Sequence, residues 1–346
     1  MPTMPDAAPI NLSKQRFVAL DALRGIAALC VMLHHAEQFY GHPGVFAHAY
    51  LAVDFFFMLS GFVISDVYAP RFAADLKLTR FMVARIKRLW PTLAIGVTLG
   101  ALLALAHGHQ PIIILIDLVA GLSFMPILRG GAGLFILDGV EWSLFFELVA
   151  NLVHRLGLWR FSNRLLLFLS VASLCGLFTI SAYNFGIGVG DRGVSFIAGF
   201  IRVAFPYLIG MLLQRMWQRG SRRLVVPVFI PIVALPASFV LASIIGPSFA
   251  WIGEPMIVAL LFPVIIWLGA CAKMPPRYTQ LSLLGGALSY PIYTIHLPLI
   301  GAGDFVARLV SPPFGIMARF VALAACIGGA WLIARYVENA AVTRRA

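Results

Sequence analysis

Apolar runs of about 18 to 23 residues recur along all 346 residues of the chain, and each, coiled at 1.5 Å per residue, is long enough to cross a hydrocarbon layer of roughly 30 Å. No other feature narrows the fold as far. Inside lipid every backbone N–H and C=O must find its partner within the protein, which leaves helices or a closed barrel. A barrel would alternate apolar and polar residues with a period of two, and these runs do not. The expected fold is therefore all-α: a polytopic membrane protein of about ten transmembrane helices. The spans are read at 18–39, 49–68, 91–107, 139–156, 164–183, 194–214, 224–243, 250–270, 281–300 and 317–336. Hydrophobic residues make up 61% of the chain and charged ones 12%, with a mean hydropathy of +0.92, which agrees. No repeat, low-complexity tract or linker marks a second domain, so residues 1–346 are read as a single membrane domain with a polar N-terminal tail (1–16) and a C-terminal tail (338–346).

The net charge of +12 would suggest nucleic acid in a soluble protein. Here the basic residues fall between apolar runs, where topology accounts for them and no nucleic acid is implied. Of the 26 Lys and Arg, 20 lie in alternate connections or the tails, among them Lys14, Arg16, Arg222, Arg223, Arg344 and Arg345. The positive-inside rule then places both termini in the cytoplasm. The same bias disposes of an eleventh span at 111–127: a full crossing there would leave 12 of the later basic residues outside and 3 inside. That segment is expected to be re-entrant or to lie on the outer surface. "AHA" at 47–49 resembles a signal-peptidase site, but Asp21 and Arg24 interrupt the apolar stretch before it, so an uncleaved first helix is expected. Cys30, Cys175, Cys271 and Cys326 sit inside apolar runs without metal-ligand spacing, and no metal is expected. Gly96 and Gly100 in "GVTLG" read as a helix-packing motif.

Ionisable groups in lipid cost several kcal/mol each and tend to mark pathways or reaction sites. Arg24 and His35 are eleven residues apart, three helical turns plus roughly 20°, so they share a face and are separated by about 16 Å along the axis. His34 points elsewhere and reads as a packing residue. Asp54 is expected about 7 Å below the outer surface, Glu147 about 12 Å below it with Ser143 one turn above, and His296 about 22 Å up from the cytoplasm. The two histidines and two carboxylates are thus expected at similar depth. Glu141, nearer the interface, is expected to be solvated. On the basic side, Arg85 and Arg88 in "RFMVARIKRLWP" stand one turn apart on a helix that precedes Pro91, a spacing suited to gripping phosphate oxygens.

Together "LDALRGIAALCVMLHH", "DFFFMLSGFVIS", "RIKRLWP", "EWSLFFE" and "SYPIYTIHLPL" resemble the acyltransferase-3 family of integral-membrane carbohydrate O-acyltransferases. The resemblance implies a ten-helix bundle and an acyl-CoA donor, acetyl-CoA by default, bound from the cytoplasm. It also implies a carbohydrate hydroxyl acylated at the outer side of the cell inner (plasma) membrane. It marks Arg24, His35, Asp54, Arg85, Arg88, Trp142 and Glu147, with His296, as functional positions. Many members carry two adjacent glutamates after "WSL"; here Glu147 is followed by Leu148. In the expected mechanism Arg85, Arg88 and Arg24 hold the donor's phosphates and His35 is the general base, its ring oriented by Glu147 or Asp54. Trp142, Ser143 and His296 would meet the acceptor. No cofactor is expected to stay bound; the partners are acyl-CoA, the carbohydrate and the bilayer, with room for glycan-assembly proteins. The rival reading is a proton-coupled transporter or flippase for a glycan or small metabolite, since histidine and carboxylate clusters also relay protons in carriers.

Overall fold

The computed structural model describes residues 17–41, 44–129, 131–220 and 226–338; the N-terminal tail with Lys14 and Arg16, Arg222, Arg223, and residues 339–346 lie outside these. The described residues form helices and no strand. Eight helical stretches are long and apolar enough to cross a membrane. They include α1 (Val18–Tyr40), α2 (Ala52–Ala73), α3 (Leu78–Ala106), α6 (Asn163–Asn184) and α7 (Phe196–Gln218). The others are the continuous stretch Pro247–Cys271, which contains α9 (Ala250–Met256) and α10 (Phe262–Cys271), then α11 (Pro276–Leu309) and α12 (Pro312–Ile333). Two further segments expected to span are shorter: α5 (Glu141–Leu156) has 16 residues and α8 (Phe229–Ile245) has 17.

Local chemistry sets the helix ends. Gly41 closes α1 in the left-handed conformation (φ 70°), its N–H reaching Glu37 O, a geometry that costs glycine nothing. Ser162 caps α6 by accepting from the Leu165 N–H at 3.2 Å. The basic connections meet at one end of the bundle: Arg155 donates to Leu76 O, and Arg215 to Trp159 O and Phe161 O. At the opposite end the loop before α5 meets the loop after α6, where Leu134 N–H donates to Asp191 O at 2.8 Å.

Three details change the depth at which the site residues lie. First, α3 begins at Leu78, so Pro91 sits inside one 29-residue helix and Arg85 and Arg88 belong to the same rod as the span above them. Second, α4 (Pro111–Leu122) is too short to cross and runs back down α3, its Leu122 carbonyl accepting from the Trp90 indole at 2.9 Å. It is re-entrant, not surface-lying. Third, residues 137–140 also dip inward: a Cβ on Gly100 would strike Leu137 O at 1.9 Å, and one on Gly96 would meet Asp138 Oδ2 at 2.9 Å. Consequently α5 starts well below the end of the bundle, and Glu147 lies deeper toward the basic end than counting from the surface suggests.

Candidate active site

Alpha-1 packs against α11 at a point where two glycines meet. A Cβ on Gly25 would come within 2.8 Å of the Gly285 backbone, so the helices approach as only small residues allow. This brings Arg24 across the gap. Its Nε donates to Ser289 Oγ (3.0 Å) and its Nη2 to Gly286 O (2.9 Å) and Asp21 Oδ1 (3.0 Å). Eleven residues along the same face, His35 meets His296 of α11, with His35 Nδ1 and His296 Nε2 2.9 Å apart. Both ends of the spaced pair therefore face one neighbour and not lipid.

A cavity of about 480 Å³ opens among α1, α2, α3, α5 and α11. Arg24, Arg85, Lys87 and Arg88 line it toward the basic end, and Ser143, Tyr293, Val53 and Phe56 line it deeper in. Gly286 and Tyr293 both border it seven residues apart on α11, so it extends about 10 Å along that helix. Within it Arg85 Nη2 donates to Glu147 Oε1 at 2.7 Å, and Ser60 Oγ donates to the same oxygen at 3.1 Å. Arg85 is buried, with its Nε unpartnered, whereas Arg88 is exposed. The two guanidiniums expected to act as one grip thus divide: Arg88 and Lys87 stand at the mouth, and Arg85 lies inside, held by Glu147.

The deep end closes on hydroxyls and rings. Ser143 Oγ lies 2.7 Å from the Tyr293 hydroxyl and donates to Val140 O at 3.0 Å. The Tyr293 ring packs edge-on against Phe56 (5.8 Å) and lies 6.0 Å from the His296 ring. The histidine pair sits behind this aromatic layer and does not line the cavity. Its hydrogen bonds fix its tautomers. His296 Nδ1 is 3.0 Å from Ile292 O, and a carbonyl only accepts, so Nδ1 carries the proton and Nε2 the lone pair. His35 Nδ1 must then be the donor, shared between His296 Nε2 and Val31 O (3.1 Å), which leaves the lone pair of His35 on Nε2.

Neither carboxylate assigned to orient His35 touches it. Glu147 is held by Arg85 and Ser60; Asp54, fully buried, is held by Arg202, whose Nε and Nη2 reach its oxygens at 3.0 and 2.7 Å. A second imidazole does the orienting. Trp142 is buried beneath Arg202, whose guanidinium lies 5.1 Å from the ring, and Gly190 covers it: a Cβ there would stand 3.4 Å from Trp142 Cζ3. Sequence reasoning left Arg202 without a role, although its place inside a span was the signal that could have found it. Glu254 was also missed: it accepts from Tyr50 Oη and the Ile187 N–H (2.7 Å) and lies 2.7 Å from His48 Nδ1, tying the α1–α2 connection and the segment after α6 to α9. Glu141 is 1% exposed and not solvated, its Oε1 unpartnered. Beside it Asp138 is buried with no donor on either oxygen, and burial pushes its carboxyl well above the usual carboxylate range; the nearby Val140 amide opposes the shift without closing a hydrogen bond. Among the described residues no three His, Cys, Asp or Glu side chains converge to hold a metal ion.

Comparison with known proteins bears on the chemistry of this cavity. A family model described as an acyltransferase domain matches residues 17–335. The chain is 38% identical over 158 residues to Protein 2 in picA locus of Rhizobium radiobacter, covering 40% of this chain and 81% of that protein. It is 36% identical over 74 residues to the putative peptidoglycan O-acetyltransferase YrhL of Bacillus subtilis (strain 168), covering 21% of this chain and 11% of that protein. No solved structure is significantly similar to it.

Proposed function

The chain belongs to the acyltransferase family whose model covers it, and from that premise we propose that it moves an acetyl group from acetyl-CoA to a carbohydrate hydroxyl. The donor enters at the basic end, taken as the cytoplasmic side of a plasma membrane, and the acceptor approaches from the other. One observation carries the reading: a single cavity with guanidinium and ammonium groups at its mouth and hydroxyls at its closed end. Cations at the mouth suit the phosphates of CoA, and an interior lined by Val53, Phe56 and Leu144 suits the thioester arm. A relative named as a peptidoglycan O-acetyltransferase supports both the acyl group and the class of acceptor.

In this reading Arg24, Lys87 and Arg88 receive the phosphates, while Arg85 and Glu147 line the path of the arm. His35 Nε2 takes the proton of the acceptor hydroxyl as its oxygen attacks the thioester carbon, and passes it to the departing thiolate. His296 holds the His35 ring in the required tautomer. Tyr293 borders the cavity and its ring lies 6.0 Å from that of His296, the residue that holds His35, so in this reading the reaction centre falls beside that ring.

The test is a thermal melt of the purified protein with CoA, followed by transfer of labelled acetyl from acetyl-CoA to a sugar acceptor in proteoliposomes. CoA is expected to raise the melting temperature, and His35→Ala to abolish transfer while keeping that shift. A protein that ignores CoA and responds only to a transported solute is a carrier, and the acyltransfer reading of this cavity falls.

A further inference from the structure

We propose that Tyr293 is a further catalytic residue: its hydroxyl, backed by that of Ser143, donates to the carbonyl oxygen of the donor's thioester where the cavity closes. The inference rests on the acyl-transfer reading and adds the group that stabilises the negative charge formed in the reaction. Attack on a thioester carbon turns its carbonyl oxygen into an oxyanion, and preorganised donors aimed at that oxygen are a large source of rate enhancement. The cavity's deep wall supplies such a donor. Tyr293 is buried, borders the cavity, and sits between it and the histidine pair, with ring contacts to Phe56 on one side and His296 on the other.

The proton inventory supports the assignment. A serine hydroxyl has one proton, and that of Ser143 goes to Val140 O at 3.0 Å, so across the 2.7 Å contact Tyr293 is the donor. When a carbonyl oxygen arrives, two rotations suffice. Ser143 turns its proton to the Tyr293 oxygen, and Tyr293 turns its own to the substrate. The number of hydrogen bonds is unchanged: the Ser143–Tyr293 bond reverses direction, and the bond to the Val140 carbonyl is exchanged for one to the developing charge, in a series that reinforces itself in a dry site.

The step balances. The acceptor oxygen forms a bond to the thioester carbon, the C–S bond breaks, and the hydroxyl proton moves through His35 Nε2 to the thiolate, giving ester and thiol. Tyr293 and Ser143 keep their protons throughout.

The experiment compares steady-state kinetics of the full-length wild type with Tyr293→Phe and Ser143→Ala in proteoliposomes, using acetyl-CoA and a sugar acceptor, alongside thermal melts with CoA. Tyr293→Phe keeps the ring contacts and removes only the donor. It is expected to lower kcat by about 100-fold with the KM for acetyl-CoA and the CoA-induced melting shift unchanged. Ser143→Ala, which removes only the support, is expected to lower kcat by about tenfold. A merely structural tyrosine predicts wild-type kcat in Tyr293→Phe, and that result overturns the proposal. If Tyr293→Phe does not fold, 3-fluorotyrosine at position 293 preserves shape while making the phenol a stronger donor, and an unchanged kcat refutes the assignment. A wild type that neither binds CoA nor transfers acetyl defeats the acyl-transfer reading itself; full transfer by both wild type and Tyr293→Phe defeats only this inference.

Discussion

Exchanging both members of the Asp54–Arg202 pair for apolar residues tests whether Asp54 acts through its charge partner or as chemistry in its own right. The carboxylate side chain is 0% exposed and the guanidinium 2%. They share contacts of 3.0, 3.2 and 2.7 Å, and Arg202 Nη1 also donates to Val189 O at 3.1 Å. With charge centres about 4 Å apart and an effective dielectric near 20, their attraction is about 4 kcal/mol. Desolvating each ion costs several kcal/mol, so the pair as a whole is close to neutral in stability, whereas stranding either partner is not. Asp54→Leu and Arg202→Met are each expected to cost about 3 to 5 kcal/mol, and the double variant to fall within about 2 kcal/mol of wild type, the remainder reflecting the lost contact of Arg202 with Trp142. Reversible unfolding in mixed micelles, titrated with SDS and followed by tryptophan fluorescence, measures all four proteins. Single losses that add in the double variant would refute the pairing argument. The folded double variant is also expected to retain acetyl transfer, since Asp54 does not contact His35.

Three further outcomes follow from the same geometry. Asp138→Asn should reduce a pH slope: a carboxyl raised above its unfolded value of about 3.8 gives stability that is complete below that value and is lost as pH rises through the folded one, so wild type should weaken from about pH 4 upward and the variant more shallowly in detergent melts. Gly25→Val should force α1 off α11, where its Cβ would lie 2.8 Å from the Gly285 backbone, at a cost of about 1 to 3 kcal/mol in the same SDS titration, and Gly25→Ala should cost less; equal, negligible losses would contradict the close approach. Glu147→Gln should tighten CoA binding by about three- to tenfold in calorimetry, because removing the carboxylate paired to Arg85 at 2.7 Å makes the cavity more positive toward an anionic ligand at its mouth; weaker binding would mean that Glu147 serves the ligand.

Which parts of this arrangement the residues disclosed follows from how local each is. The shared face of Arg24 and His35 was legible because α1 runs unbroken from Val18 to Tyr40, so angular arithmetic holds across it. The non-crossing segment at 111–127 was legible from loop charge. The depth of Glu147 was not, because it depends on residues 137–140 folding inward beside Gly96 and Gly100, a tertiary event that leaves no periodic trace in the sequence. Partners were equally hidden: Asp54 and Arg202 are 148 residues apart, and charge type alone allows any acid to meet any base. Tyr293 escaped notice because an aromatic residue in an apolar span reads as packing until its hydroxyl is seen to border a cavity.

The pairing of the buried acids bears on how the base is built. Asp54, Glu147 and Glu254 are committed to Arg202, Arg85 and the His48–Tyr50 pair, and none lies against His35. In a hydrolase triad an anion orients the imidazole and steadies the imidazolium that forms. Here a neutral imidazole does the first task through a hydrogen bond anchored on Ile292 O. For the second it supplies only a dipole, so in the proposed reaction a proton taken by His35 Nε2 would be held less firmly than beside a carboxylate and released more readily to the leaving thiolate. That would suit the proposed thioester donor, whose leaving group is a far weaker base than the amine an acid-assisted triad must protonate, and it would place the greater demand for charge stabilisation on the carbonyl side of the reaction, the place proposed for the Tyr293 and Ser143 hydroxyls.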